Sequence, residues 1–207
     1  MDQLANIALA LALAWASGIR LYAVLFLVGL AGYFHWFDWS APKSFSLLSH
    51  PLVLGSTGFM LFIEFFADKI PAVDTVWDAI HTFIRIPAGA LLAAGVIGAE
   101  DGQAWALAAA IIGGTVTAGT HFMKAGGRAA INTSPEPVSN WLASFTEDAA
   151  VIGGLWIAIQ HPLLFLVFLT IFAGLAIWLL PKLYRFIRAI FLHIAQLLTR
   201  PPTTNMH

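Results

Sequence analysis

The chain has 207 residues, 59% of them hydrophobic and 10% charged, with a mean hydropathy of +0.82. Soluble domains are about half apolar and about a quarter charged, so this composition excludes an ordinary soluble domain and predicts an all-α, polytopic membrane helix bundle. Ten basic against eleven acidic residues leave a formal net charge of -1, which gives no argument for a nucleic-acid partner, and the absence of cysteine excludes disulfides and thiol chemistry.

Leu4 to Phe34 is the first long apolar run. It is interrupted at "ASGIRLY" by Ser17, Gly18 and Arg20, which predicts one broken helix, with two short helices as the alternative. It lacks a basic leader and a clear cleavage site, so it reads as retained structure and not as a signal peptide. The next spans are about Pro51 to Ala67 and Trp77 to Gly98, separated by "DKIPAVD", where Pro71 cannot donate a helical hydrogen bond. After a turn at Asp101 and Gly102 come Ala104 to Ala125, then "RAAINTSPEPVSN" with its two prolines, then Asn140 to Ile159. "QHP" leads into a sixth span, Pro162 to Leu180. These runs approach or exceed the roughly 20 residues that cross the hydrocarbon of a bilayer.

Residues 1–181 therefore form the predicted bundle, and residues 182–207 a basic amphipathic helix with a tail. In that last segment Leu183, Phe186, Ile187, Ile190, Ile194 and Leu197 recur at helical spacing, while Lys182, Arg185, Arg188 and His193 take other angles. This is the pattern of a helix lying in the membrane interface. With six spans, one side holds Lys69, Lys124, Arg128, Lys182, Arg185, Arg188 and Arg200 and the other only Lys43, so the excess of basic residues predicts both termini in the cytoplasm. "ASGIR" at Ala16 to Arg20 resembles "TAGTH" at Thr117 to His121, and "FIE" at Phe62 to Glu64 resembles "FTE" at Phe145 to Glu147. Three spans per half would make residues 1–100 and 101–181 inverted repeats, an arrangement in which transporters place a site at the repeat interface. Chance matching of a few residues is the alternative.

The charged residues fall in stripes. Glu64 and Asp68 are four apart, and Asp74, Asp78, His81 and Arg85 step by four, three and four. His121, Lys124 and Arg128 step by three and four, as do Asn140, Ser144 and Glu147 in the reverse order, with Asp148 adjacent and Asn132 between the groups. Steps of three and four share one helix face. A charge at the centre of a spanning helix costs about 2.5–3.5 kcal/mol on insertion scales, so such stripes face protein or water and pair with one another. Arg20 stays ionised at any working pH, so it needs a carboxylate partner, and Glu64 or Glu147 would serve. The plainer readings are a salt-bridge lock between helices for Asp74 to Arg85, a solvated loop for Asp68, snorkelling for His121, Lys124 and Arg128, and helix capping for Asn132, Ser134 and Asn140. Trp36 and Trp39 suit a membrane interface.

"EFFADKIPAVDTVWDAIHTFIRIPAGALLAA", "THFMKAGGRAAINTSPEPVSNWLASFTEDAAV" and "ASGIRLY" resemble the bacterial membrane family catalogued as domain of unknown function 4126, over about Ser17 to Trp156. The resemblance implies a multi-pass fold in the bacterial inner membrane and no substrate. "EFFADK" is also similar to the E-x-G-D-[KR] motif of cation exchangers, with its acids four apart instead of three and Ala67 in place of the glycine. That likeness makes Glu64, Asp68, Glu147 and Asp148 the candidates for holding a divalent cation.

The sequence holds no H-E-x-x-H and no G-x-S-x-G, so neither common hydrolase signature is present. Asp74, Asp78 and His81 could bind a metal in a membrane hydrolase, and a scaffold would need none of the buried charge. A transporter for a small ion or solute, coupled to a cation or proton, uses the paired acids, the basic residues and the broken helix together. Its partners are the lipid bilayer and the solute, and a homo-oligomer is compatible with the sequence.

Overall fold

The computed structural model describes residues 3–36, 45–133 and 137–199. Lys43, Trp39, Ser134 and Arg200, used above, lie outside them. The described residues form six helices, α1 Gln3–Tyr33, α2 Pro51–Ala67, α3 Pro71–Asp101, α4 Gln103–Ile131, α5 Pro137–Gln160 and α6 Pro162–Thr199. No strand occurs among them. All but α2, at 17 residues, are long and apolar enough to cross a membrane. The protein is a polytopic helical membrane protein.

α1 is the central helix, touched by each of the other five. Its first half carries Ala8, Leu9, Ala12, Leu13, Trp15 and Ala16, all buried. Trp15 sits edge-on against Phe165, Phe168 and Phe172 of α6, with ring centroids 6.0, 5.3 and 6.1 Å away. Such pairings add to the area that the rings bury. α3 packs along α4 more extensively than any other pair.

α1 is one helix with a break, as "ASGIRLY" predicts. Arg20 has φ -140° and ψ 78°, well outside the helical region. Just before the break, Gly18 lets α4 approach closely: a Cβ there would meet the Thr117 carbonyl oxygen at 2.6 Å and the His121 backbone nitrogen at 2.9 Å. The two motifs that resemble each other therefore pack face to face. Thr117 Oγ1 also donates to the Ala14 carbonyl across this contact at 2.8 Å.

Both ends of α2 follow from local chemistry. Pro51 occupies its first turn, where a missing N–H costs nothing, and His50 Nδ1 accepts from the Leu52 amide at 3.3 Å. Pro71 begins α3 in the same way after a junction of only Asp68, Lys69 and Ile70.

Two spans are longer than their hydropathy predicts. α3 starts at Pro71 instead of Trp77, and α4 ends at Ile131 instead of Ala125. The added turns carry Asp74 and Arg128, which are polar but face inward. α6 continues through Pro181 without a break, so the basic segment is its extension and no separate helix. Leu183 packs there against Gly126 of α4, where a Cβ would meet its Cδ1 at 2.9 Å.

Candidate functional site

The break in α1 puts the Arg20 guanidinium inside the bundle with no exposed surface. Its Nη1 pairs with Asp68 Oδ2, and its Nε lies 2.8 Å from Asp148 Oδ1. Nη2 donates to Ser144 Oγ at 2.8 Å and to the Ser144 carbonyl at 3.1 Å, and lies 3.6 Å from Glu147 Oε2. The partner expected in Glu64 is therefore Asp68 and Asp148, with Glu147 more distant. Glu64 is spoken for elsewhere: Arg85 Nη2 lies 2.6 Å from its Oε1.

Asp68 caps the C-terminus of α2, where the helix dipole already presents partial negative charge and a carboxylate is disfavoured. Cations from two other helices offset this. Besides Arg20, Asp68 Oδ2 has Lys124 Nζ at 3.2 Å and Arg128 Nη2 at 3.8 Å, and Arg128 Nη1 donates to the Asp68 carbonyl at 3.1 Å. Asp68 is fully buried, which overturns its reading as a solvated loop residue.

Lys124 joins this group to the next. Its ammonium also lies 3.4 Å from Asp78 Oδ1 and 3.6 Å from Glu147 Oε2, and it donates to the Ile19 carbonyl at the α1 break at 3.2 Å. Asp78 Oδ1 in turn has Arg85 Nη1 at 2.8 Å. Arg128 forks onto Glu147 through Nε at 2.8 Å and Nη2 at 3.0 Å, while its Nη1 donates to Asn140 Oδ1 at 3.1 Å. Lys124, Arg128 and His121 are buried, so none of them snorkels. The network runs from Glu64 through Arg85, Asp78, Lys124 and Asp68 to Arg20, Arg128 and the acids of α5.

Asp74 stands apart. It is fully buried and makes no ion pair within 4.0 Å among the described residues. Its recorded partner is the Asn132 amide, whose Nδ2 donates to Oδ2 at 3.2 Å. Asn132 is thus the C-cap residue of α4 with its side chain turned to α3. Asn140 serves Arg128 and caps no helix.

His81 is on the expected face but turned away from the acids. Nδ1 meets the Trp77 carbonyl at 2.8 Å and Nε2 the Tyr22 hydroxyl at 3.1 Å, so it is no ligand beside Asp74 and Asp78. Nor do Glu64, Asp68, Glu147 and Asp148 form one group of ligands. The acids that converge are Asp68, Asp74 and Asp78, with one oxygen from each within 4.8 Å of the others. His121 meets Thr82 Oγ1 at 2.7 Å through Nε2 and lies 3.3 Å from Arg85 through Nδ1.

Three contributors are absent from the site predicted from sequence. Tyr22 and Thr82 were detectable, two residues after Arg20 and four after Asp78. Lys69 is the third: its ammonium is 3.0 Å from the centre of the Phe65 ring and donates to the Phe65 carbonyl at 2.9 Å and Ser144 Oγ at 3.3 Å. Burial, then the nearby Arg20 guanidinium, pushes its pKa below the ordinary lysine value, against the pull of Asp148 and Asp68.

A cavity of 470 Å³ between α1, α2 and α5 reaches the network. Phe26, Leu27, Phe62, Phe65 and Val151 line it, with Asp148 as the charged group on its wall. The Asp148 side chain keeps 27% of its surface exposed, against 1% for the Arg20 side chain behind it.

Fold and site together define a multi-pass helical membrane protein with a dense, buried charge network at the break of its central helix. The model of the family described as Domain of unknown function (DUF4126) matches residues 7–182, and the chain belongs to that family. A comparison with curated proteins and one with solved structures each found no match.

Proposed function

We propose that the protein is a transporter that moves a small ion or solute, coupled to a cation or proton, through the network around Arg20. The observation that carries this reading is the imbalance of buried charge at a broken helix. The cations Arg20, Lys69, Arg85, Lys124 and Arg128 face six carboxylates, Glu64, Asp68, Asp74, Asp78, Glu147 and Asp148, an excess of one acid. A lock between helices gains nothing from surplus acid, which burial penalises. A site that loads and releases a positive charge needs it. Intramembrane ionisable residues of this kind mark ion and proton paths. The cavity beside Asp148 supplies an approach from outside the bundle, and the contact of "ASGIR" with "TAGTH" fits two repeats meeting at the site. Lys182, Arg185 and Arg188 at the end of α6 favour a cytoplasmic C-terminus in the bacterial inner membrane, with the N-terminus on the same side.

Glu64 and Glu147 are the glutamates of the network, one in each half of the chain. In vesicles of purified protein, screened with H+, Na+, K+ and divalent cations, wild type carries one of them. Glu64→Gln and Glu147→Gln keep the side-chain shape, remove the charge and abolish the flux while insertion is retained. Normal flux from both variants would refute the reading.

A further inference from the structure

We infer that Asp68, Asp74 and Asp78 form a binding site for an oxygen-preferring divalent cation. The inference starts from how each carboxylate uses its two oxygens. Asp68 gives Oδ2 to Arg20, Lys124 and Arg128, Asp78 gives Oδ1 to Arg85 and Lys124, and Asp74 gives Oδ2 to Asn132. The second oxygen of each, Asp68 Oδ1, Asp78 Oδ2 and Asp74 Oδ1, is buried and has no hydrogen-bond partner. So is Asn132 Oδ1, on the amide that touches Asp74. These are all acceptors, in side chains of which the three aspartates are at least nine-tenths buried. Buried acceptors without donors are costly and rare, and one bound cation satisfies several of them at once. One proton would satisfy at most a single pair of them, as donor on one oxygen to another.

Spacing and charge both suit a metal cation. The three aspartates offer oxygens within 4.8 Å of one another. Oxygens of one shell are at most about 4.2 Å apart around Mg2+, bound at about 2.0–2.1 Å, and at most about 4.6–5.2 Å apart around Ca2+, bound at about 2.3–2.6 Å, so the spacing accommodates either ion. Lys69 is buried beside the same network, so five cations face the six acids and one positive charge is missing. A bound cation supplies it. The Asn132 amide, by holding Asp74 Oδ2, orients Oδ1, the role that a supporting hydrogen bond plays at metal sites.

The cation's role as cargo or coupling ion rests on the transport reading above, but its binding does not. Isothermal titration of the full chain in detergent with CaCl2, and separately with MgCl2, tests the site. One divalent cation, Ca2+ or Mg2+, binds per chain, and Asp74→Asn or Asp78→Asn lowers its affinity on the order of tenfold or more. Asp74→Glu, which keeps the charge, retains binding better than Asp74→Asn. Absence of binding of both ions by wild type overturns the proposal whatever the variants do, as does equal affinity in folded Asp74→Asn and Asp78→Asn. Binding without any flux leaves the site standing and removes the transport reading. Flux without binding of either ion does the reverse.

Discussion

The two sides of the α1 break are built on opposite principles. Before it, Leu13, Trp15 and Ala16 bury apolar surface against Phe165, Val151 and Leu155, and the polar side chains of α1 are uncharged, as where Ser17 Oγ donates to the Leu13 carbonyl at 2.6 Å. After it, Arg20 meets acids from the α2–α3 junction and from α5, and one oxygen of Glu64, Asp68, Asp74 and Asp78 is left without a partner. Apolar packing in a bilayer holds helices together through close contact and small residues, and it needs no charge. The helices at the break could have been joined in the same way. On the proposed transport reading, the mismatched charge that they bury instead makes the second region the working part and the first its support.

The largest test of this division removes Arg20. Arg20→Gln leaves Asp68 and Asp148 without their guanidinium, and breaking one side of a buried pair costs about 3–5 kcal/mol. Arg20→Gln with Asp68→Asn recovers part of that loss, because both charges leave together. Thermal unfolding of the four proteins in detergent measures the coupling, and additive losses would mean that Arg20 and Asp68 are not partners. In the apolar region, Leu13→Ala costs about 2–5 kcal/mol by the rule for buried leucines. It lowers the unfolding midpoint while ion flux per folded molecule stays at the wild-type level. A loss of flux in Leu13→Ala exceeding the loss of folded protein would erase the distinction between support and site.

Much of the fold was legible, because apolar runs and prolines speak directly. Pro51 and the "DKIP" junction bound α2, and "ASGIRLY" marks the break in α1. The lengths of α3 and α4 were not legible from hydropathy, since Asp74 and Arg128 are polar residues that point inward. The face shared by Asp74, Asp78, His81 and Arg85 followed from their spacing, yet the same spacing could not say that His81 turns toward Tyr22 and Trp77. Partners were the least legible. Arg20 binds Asp68 because the short α2–α3 junction swings that residue toward α1, and Asp68 joins Asp74 and Asp78 for the same reason. Periodicity describes one helix at a time, so it cannot report what two helices and a junction bring together.

The central claim is that the charged region moves ions and does more than hold helices together, and Asp74→Asn tests it most directly. Asp74 makes no ion pair, and asparagine keeps its shape while removing a buried negative charge. Flux in reconstituted vesicles and thermal unfolding of the same preparation are measured together. The account predicts an unfolding midpoint equal to or above that of wild type, with flux abolished. Flux at the wild-type level in the folded variant would contradict it.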